Sequence, residues 1–200
     1  MDRRRFVWIV LYNAREVRMS WSAGARLASK LIPVLAVTLV TAIDARAEGP
    51  TTSVQTEYLM TFYANLDAAQ LIDAGMQIIP VTGGWVEGPR IKGKIVPPGG
   101  DWGHVLPSGV FRLDVRATIR TDDGEIIFVA YNGVRQCPKE VAERVVKGEL
   151  IKQGECYFIT SPTFETKSEK YGWLNGVQAV GKALELKRGD HVTYEIFAVK

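Results

Sequence analysis

Three carboxylates of the sequence stand where acid–base chemistry is conceivable. Asp101 precedes Trp102, Asp114 lies two residues before Arg116, and Glu165 follows a phenylalanine. Two carboxylates whose environments push their pKa values apart can serve as general acid and general base. We therefore take Asp101, Asp114 and Glu165 as candidate catalytic residues, paired as Asp101 with Asp114 or Asp101 with Glu165.

A wider set of residues has the composition of a small-molecule pocket, in which aromatic rings give contact area and a few polar groups orient the ligand. The alternatives are that the tryptophans Trp85, Trp102 and Trp173 are core residues that plug the ends of the fold, and that Tyr131 only packs against its neighbours. With Tyr171 as a further rim residue, the predicted ligand-binding residues are Trp85, Arg90, Asp101, Trp102, Arg116, Tyr131, Glu165, Trp173 and Asn175.

The strand that contains Asp114 and Arg116 has two faces, and the sequence leaves their orientation open. Residues 110–120 alternate apolar and polar side chains, with Arg112 and Arg120 on the polar face. If that face is outside, its charges are solvated. If it points inward, Asp114 is a buried carboxylate whose pKa depends on Arg116.

Other kinds of chemistry find little support. His104 lies three residues after Asp101 and could carry a proton, but the chain has only two histidines, without the spacing of a zinc site. A nucleophile elbow, a phosphate-binding loop and a dinucleotide fingerprint are all absent from the sequence. We expect neither a metal nor a cofactor.

Residues 83–102 are rich in glycine and proline, yet they interleave bulky and charged side chains. This mixture predicts tight turns that hold functional side chains around a pocket. We expect this segment, together with residues 164–175, to form the mouth of that pocket.

The remaining pattern is mostly strand, with many short segments bounded by turn signals. It predicts an all-β fold with one short helix, an antiparallel barrel or sandwich. One or two helical turns are expected at 66–75 and the helix at 138–147; the strands are expected at 54–65, 76–81, 110–120, 125–133, 156–160, 177–186 and 191–200.

Residues 1–47 have the features of a leader. From Met19 a basic stretch is followed by thirteen mostly apolar residues, 31–43, and by the small-x-small site that ends at Ala47. A membrane span needs roughly 20 residues, so a cleaved signal peptide is favoured over an anchor. The first 18 residues are interpreted as a start assigned too far upstream, and residues 48–200 as a single domain.

The leader also carries the positive charge of the chain. Of 25 basic and 22 acidic residues it holds eight and three, which leaves 17 basic and 19 acidic residues of mixed pattern. Nothing there indicates a nucleic-acid partner. We expect a periplasmic or secreted protein without a stable membrane anchor after cleavage.

Cys137 and Cys156 are the only cysteines and flank the predicted helix. An exported chain meets an oxidising compartment, where such a pair can form a disulfide. Two buried thiols are the alternative.

Several short motifs follow one another in order along residues 58–199: Gly88-Pro89-Arg90-Ile91-Lys92-Gly93 after Gly84, Pro97-Pro98-Gly99-Gly100-Asp101-Trp102, Leu113-Asp114-Val115-Arg116, Thr121-Asp122-Asp123-Gly124, Asn132-Gly133-Val134-Arg135, Phe164-Glu165-Thr166 and Tyr171-Gly172-Trp173-Leu174-Asn175. Their order resembles the uncharacterised protein family three-one-one, also catalogued as domain of unknown function thirty-two thirty-seven. The resemblance implies a small antiparallel, loosely lipocalin-like β-barrel that often forms homo-oligomers, and it implies no particular activity.

Three hypotheses about function follow. The favoured one is an exported β-barrel that binds a small, partly apolar molecule. The second is an enzyme of the lyase, isomerase or hydrolase type that uses the carboxylates as general acid and base. The third is a structural barrel whose apolar strand faces serve self-assembly.

Overall fold

The structure, a computed structural model, describes residues 52–200, so the predicted leader lies outside the described residues. In this part of the chain no helix is both long and apolar enough to cross a membrane. A single-turn 3-10 helix spans Gly172–Gly176. The other elements are β1 (Thr56–Leu66), β2 (Gln70–Leu71), β3 (Met76–Gly88), β4 (Ile91–Val105), β5 (Phe111–Thr121), β6 (Ile126–Gln136), α1 (Lys139–Val146), β7 (Ile151–Lys152), β8 (Tyr157–Glu165), β9 (Ala179–Lys187) and β10 (His191–Val199).

Eight of these strands form a closed antiparallel barrel. Their order around the wall is β1, β10, β9, β8, β6, β5, β4 and β3, and β3 pairs back onto β1. The two short strands are additions, β2 beside β3 and β7 beside β9. The predicted antiparallel β-barrel with one short helix is thus confirmed.

The apolar face of each wall strand points into the barrel. Along β5 the odd-numbered residues are buried, and the even-numbered ones are more exposed. Asp114 and Arg116 therefore lie on the outer wall, where they form a 3.1 Å ion pair between half-exposed side chains. The inward-facing residues of β5 are Phe111, Leu113, Val115, Ala117 and Ile119.

The two ends of the barrel differ. At one end, which we call the mouth, lie the connections 66–76, 105–111, 136–157 and 187–191, including α1 and β7. A disulfide joins Cys137 to Cys156 there and fastens the ends of the longest connection. The opposite end, the base, holds the tight turns 88–91 and 121–126 and the 3-10 helix.

Residues 83–102 are not a loop, contrary to the sequence-based prediction. The strand expected at 76–81 continues as β3 to Gly88, a tight turn follows, and β4 begins at Ile91. The glycines serve close approach of backbones instead: a Cβ on Gly84 would lie 2.0 Å from the Tyr63 carbonyl oxygen, and one on Gly88 would lie 2.1 Å from that of Leu59. They allow β1 to close the barrel against β3.

Two further predictions of local structure were wrong. Residues 66–75 contain β2 and a turn rather than helix, because Asp73 Oδ1 accepts hydrogen bonds from the amides of Gly75 and Met76 at 2.7 and 2.6 Å. Strand β8 continues through Pro162 to Glu165. β8 pairs with β9 only up to Thr160. Pro162 has no backbone N–H to donate, and it lies beyond the end of this pairing.

Replacing Gly84 with alanine tests how the barrel closes. Gly84 has φ +139° and faces Ala64 across the β1–β3 pair. We expect Gly84→Ala to lower the free energy of unfolding by on the order of 3 kcal/mol, because the new methyl group must displace the Tyr63 backbone. Urea denaturation followed by circular dichroism measures the loss.

The matched control is Gly176→Ala in the 3-10 helix, where a Cβ meets nothing within 4 Å. This variant should unfold near the wild-type urea concentration. Equal stability of the two variants would show that close approach at Gly84 is not required for closure.

Candidate functional site

A cavity inside the barrel opens at the mouth and combines apolar walls with four polar side chains. Its volume is about 30 Å³, enough for a solvent molecule or a small chemical group. The apolar lining includes Phe111, Leu113, Val115, Phe158, Leu186 and Val192. We call this cavity and its polar residues Asp101, Tyr131, Arg135 and Tyr194 the lumen site.

Strand alternation places all four polar residues inside. Asp101 on β4 lies opposite Val115, which faces the lumen, and Tyr131 on β6 is the other cross-strand neighbour of that valine. Arg135 lies four residues further along β6, beside Phe111. Tyr194 is the buried residue between Val192 and Ile196 on β10.

Asp101 is a buried carboxylate, with only 6% of the residue exposed. Its Oδ1 accepts a 3.0 Å hydrogen bond from the backbone amide of Asp114. Burial raises the pKa of Asp101 to about 6, although this hydrogen bond and the positive charge of Arg135 act in the opposite direction. Because Asp101 changes charge close to neutral pH, it can give or take a proton there.

Tyr131 and Tyr194 form the aromatic floor around this carboxylate. Their ring centroids are 5.9 Å apart, and each ring also lies edge-on or tilted against Phe62. Burial raises the pKa of both hydroxyls, and the nearby charge of Asp101 adds to the shift. Both tyrosines therefore stay neutral and can donate hydrogen bonds to a ligand.

Arg135 lies at the upper edge of the cavity, between two phenyl rings. The centre of its guanidinium is 4.6 Å from the ring centroid of Phe111 and 5.9 Å from that of Phe158. Burial lowers its pKa, while Asp101 and Tyr194 favour its charged form. Arginine remains a cation at neutral pH, so this group is the positive charge of the site.

The arrangement offers a small apolar pocket with one titrating carboxylate, two neutral hydroxyls and one cation. It can orient a small molecule by hydrogen bonds, and it can supply an acid or base at Asp101. Among the described residues no cluster of histidine, cysteine or carboxylate side chains has the geometry of a metal site.

Of the predicted ligand-binding residues, Asp101 and Tyr131 lie in the lumen site. Four others are on the outer wall: Trp85, Trp102, Arg116 and Glu165. Trp85 is 41% exposed and stacks on Tyr63, with centroids 5.6 Å apart. Trp102 packs against Arg116, whose guanidinium is 5.4 Å from the ring centroid.

Arg90, Trp173 and Asn175 lie at the base. The Arg90 guanidinium is stacked 3.7 Å from the Trp173 ring centroid, and both residues line a second, separate cavity of about 80 Å³. Asn175 accepts from and donates to the backbone of Thr166, both at 2.8 Å, which holds the 3-10 helix against the end of β8. The segment 164–175 therefore covers the base and does not form the mouth.

Among the three candidate catalytic carboxylates, only Asp101 reaches the lumen site. Asp114 points outward from β5, and Glu165 is exposed at the end of β8. His104 is exposed near the end of β4. The predicted pairs of carboxylates are thus not brought together.

The sequence reasoning missed Arg135 and Tyr194 as site residues. Tyr194 alternates with Val192 and Ile196, and Arg135 continues the buried series Ile127, Val129 and Tyr131. The sequence did hold a signal for both residues: each is a polar or amphipathic residue at an inward position of a strand whose other inward residues are mostly apolar. It indicates a functional group inside a barrel.

The family model described as "Protein of unknown function (DUF3237)" matches residues 54–199. The chain belongs to the DUF3237 family. A UPF0311 protein of Clostridium acetobutylicum is 44% identical over 98 residues, which are 49% of this chain and 62% of that protein.

Two solved structures show the DUF3237 barrel. A conserved protein of unknown function from Rhodopseudomonas palustris has 30% identity and a TM-score of 0.71, covering 76% of this chain and 100% of that one. A beta-barrel like protein from Acinetobacter baumannii has 35% identity and a TM-score of 0.61, covering 76% and 99%. These similarities establish family and fold, and their descriptions name no activity.

Stability as a function of pH tests the electrostatics of Asp101. Because its pKa rises from 3.8 to about 6 on folding, the folded state binds the proton more strongly. The free energy of unfolding should then fall as pH rises through this interval. We expect Asp101→Asn to be more stable than wild type by up to about 3 kcal/mol at pH 7.5, from roughly two pKa units at about 1.4 kcal/mol each.

The difference in the free energy of unfolding should vanish near pH 3.5, where the wild-type carboxyl is also neutral. The side-chain oxygen of the asparagine can still accept the hydrogen bond from the Asp114 amide. Urea denaturation at a series of pH values measures both limits. A variant less stable than wild type at pH 7.5 would mean that the ionised carboxylate stabilises the fold.

Proposed function

We propose that this protein binds a small, partly apolar molecule in the lumen site, entering through the mouth. The observation that carries the proposal is the buried Asp101, placed beside two tyrosine hydroxyls in an otherwise apolar cavity that opens to solvent. Pockets that bind small molecules have this composition, a mostly apolar lining with few convergent polar groups.

The cost of burying Asp101 supports the proposal. A carboxylate without full compensation destabilises the fold when it is ionised, and an apolar residue at the same place would pack better. Among the described residues Asp101 accepts one hydrogen bond, from the Asp114 amide, so its second oxygen is available to a ligand. Groups kept at such a cost are typical of functional sites.

Export and self-assembly are further parts of the proposal. The leader predicted at residues 1–47 would direct the chain to the periplasm or outside the cell, and the Cys137–Cys156 disulfide suits such an oxidising compartment. A homo-oligomer is supported by the aromatic surface on the outer wall, where Tyr63 stacks between Trp85 and His191.

Octanamide, a neutral amphipathic probe whose amide head group is small enough for the lumen site, tests binding there. We expect it to shift NMR resonances of lumen-facing residues of β6 and β10. Leu66→Trp should abolish these shifts, because Leu66 is half-buried at the mouth end of β1 and a larger ring there fills the cavity. Trp85→Ala on the outer wall is the matched control and should keep them. Shifts confined to the outer wall, or none at the solubility limit, would contradict the proposal.

An enzyme is the second candidate, favoured by the pKa of Asp101 near 6. A base with such a pKa can remove a proton next to a carbonyl group at neutral pH. Small ketones incubated in D₂O should then exchange their α-hydrogens, at a rate that rises with pH around 6. Asp101→Asn should lose this exchange, with Asp114→Asn as the control. Equal exchange in both variants would exclude Asp101 as the base.

A further inference from the structure

Arg135 borders three cavities, the smallest of which, about 10 Å³, lies beside β7 and β9. Below it lies the lumen site, and above it lies a second cavity of about 190 Å³ at the mouth, which we call the vestibule. The vestibule is lined by Arg135 and Arg188 together with apolar side chains of β2, β3, β4 and α1, among them Leu71, Met76, Val105 and Val146. The vestibule and the lumen site therefore share Arg135.

The guanidinium of Arg135 has donors to spare. Within residues 52–200 it forms no ion pair, and the nearest opposite charge, Asp101, acts on it without direct contact. The Phe111 and Phe158 rings beside it offer no oxygen or nitrogen acceptor for its N–H groups. A planar anion with two oxygens is the group that satisfies such a fork of donors.

The other charges around the vestibule also favour an anion. Arg188 is a second cation, whose charge acts against that of Arg135 when the cavity is empty. The acidic residue of the vestibule, Asp73, keeps its negative charge, and its Oδ1 accepts hydrogen bonds from the amides of Gly75 and Met76; the two arginines outnumber it. An anion placed between the two arginines relieves their repulsion.

The rim of the mouth is apolar and exposed. Leu71 is 72% exposed, Val105 42% and Val146 69%, and their chain neighbours Ile72 and Leu106 are also largely uncovered. These residues come from three separate connections that meet at the mouth. Exposed apolar side chains around a cavity mark a surface that binds apolar groups.

We propose that the ligand is an amphipathic carboxylate, with its carboxylate on Arg135 and its hydrocarbon chain in the vestibule. The volumes set this orientation, because the space of about 30 Å³ below Arg135 admits only a head group, whereas the 190 Å³ above it admits a chain. The tyrosine hydroxyls below Arg135 are the further donors to the head group. This inference rests on the proposed function and specifies its ligand class.

The test compares octanoate with octanamide, which has the same chain and a neutral head group, by calorimetric titration of the purified protein at pH 5.5, where Asp101 below Arg135 is mostly protonated and octanoate is mostly ionised. We expect octanoate to bind roughly tenfold more tightly or better, the usual effect of hydrogen bonds to a charged group. Equal or weaker binding of octanoate by the wild-type protein overturns the inference without any variant.

Variants locate the anion site. Arg135→Gln should bring octanoate affinity down to that of octanamide, and Arg135→Lys, which keeps the charge but loses the fork, should give an intermediate value. Arg120→Gln removes an exposed arginine of β5 and should change nothing. Unchanged octanoate affinity in folded Arg135→Gln or Arg135→Lys overturns the inference.

The two proposals can fail separately. If octanamide binds in the lumen and octanoate binds no better, only the carboxylate inference fails. If neither probe binds inside the barrel, the proposed function fails as well.

Discussion

Closure of the wall between β1 and β3 is the constraint on which the rest of the structure depends. The glycines of β3 let the β1 backbone approach closely, as at Gly84 and Gly88, and so join the first strand to the third. With eight strands a barrel is just wide enough for its own side chains and one small group. Every inward-facing residue therefore belongs either to the core or to a site. Asp101 is a buried carboxylate, which an apolar core does not need.

The two ends of this closed wall have different roles. The base is covered by the 3-10 helix, where Leu174 is fully buried and Tyr171 donates to Asp123. Lysine and tyrosine partners lower the pKa of Asp123 to about 2, the behaviour of a carboxylate that stabilises structure. At the mouth, burial instead raises the pKa of Asp101. The same residue type is thus an exposed ion-pair partner at one end and a buried carboxylate at the other.

Much of the fold followed from sequence, and less of the site did. Alternation in β5 predicted a strand correctly and left open which face points inward, and the structure shows that the apolar face is the buried one. The segment 83–102 was misread, since its glycines serve backbone approach between strands, a long-range contact that local composition does not reveal. For the same reason local composition predicted that Trp85 and Trp102 line a pocket, whereas the alternation of side chains along β3 and β4 puts both on the outer wall. Arg135 is in phase with the apolar series of β6, but its place between Phe111 and Phe158 is visible only in the structure.

A crystal structure of the protein soaked with octanoate tests the lumen site most directly. We expect density for the carboxylate within hydrogen-bonding distance of Arg135, above Tyr131 and Tyr194, with the chain directed along Leu71 and Val146. Octanoate bound only on the outer wall, with no density in the lumen or vestibule, would contradict the account.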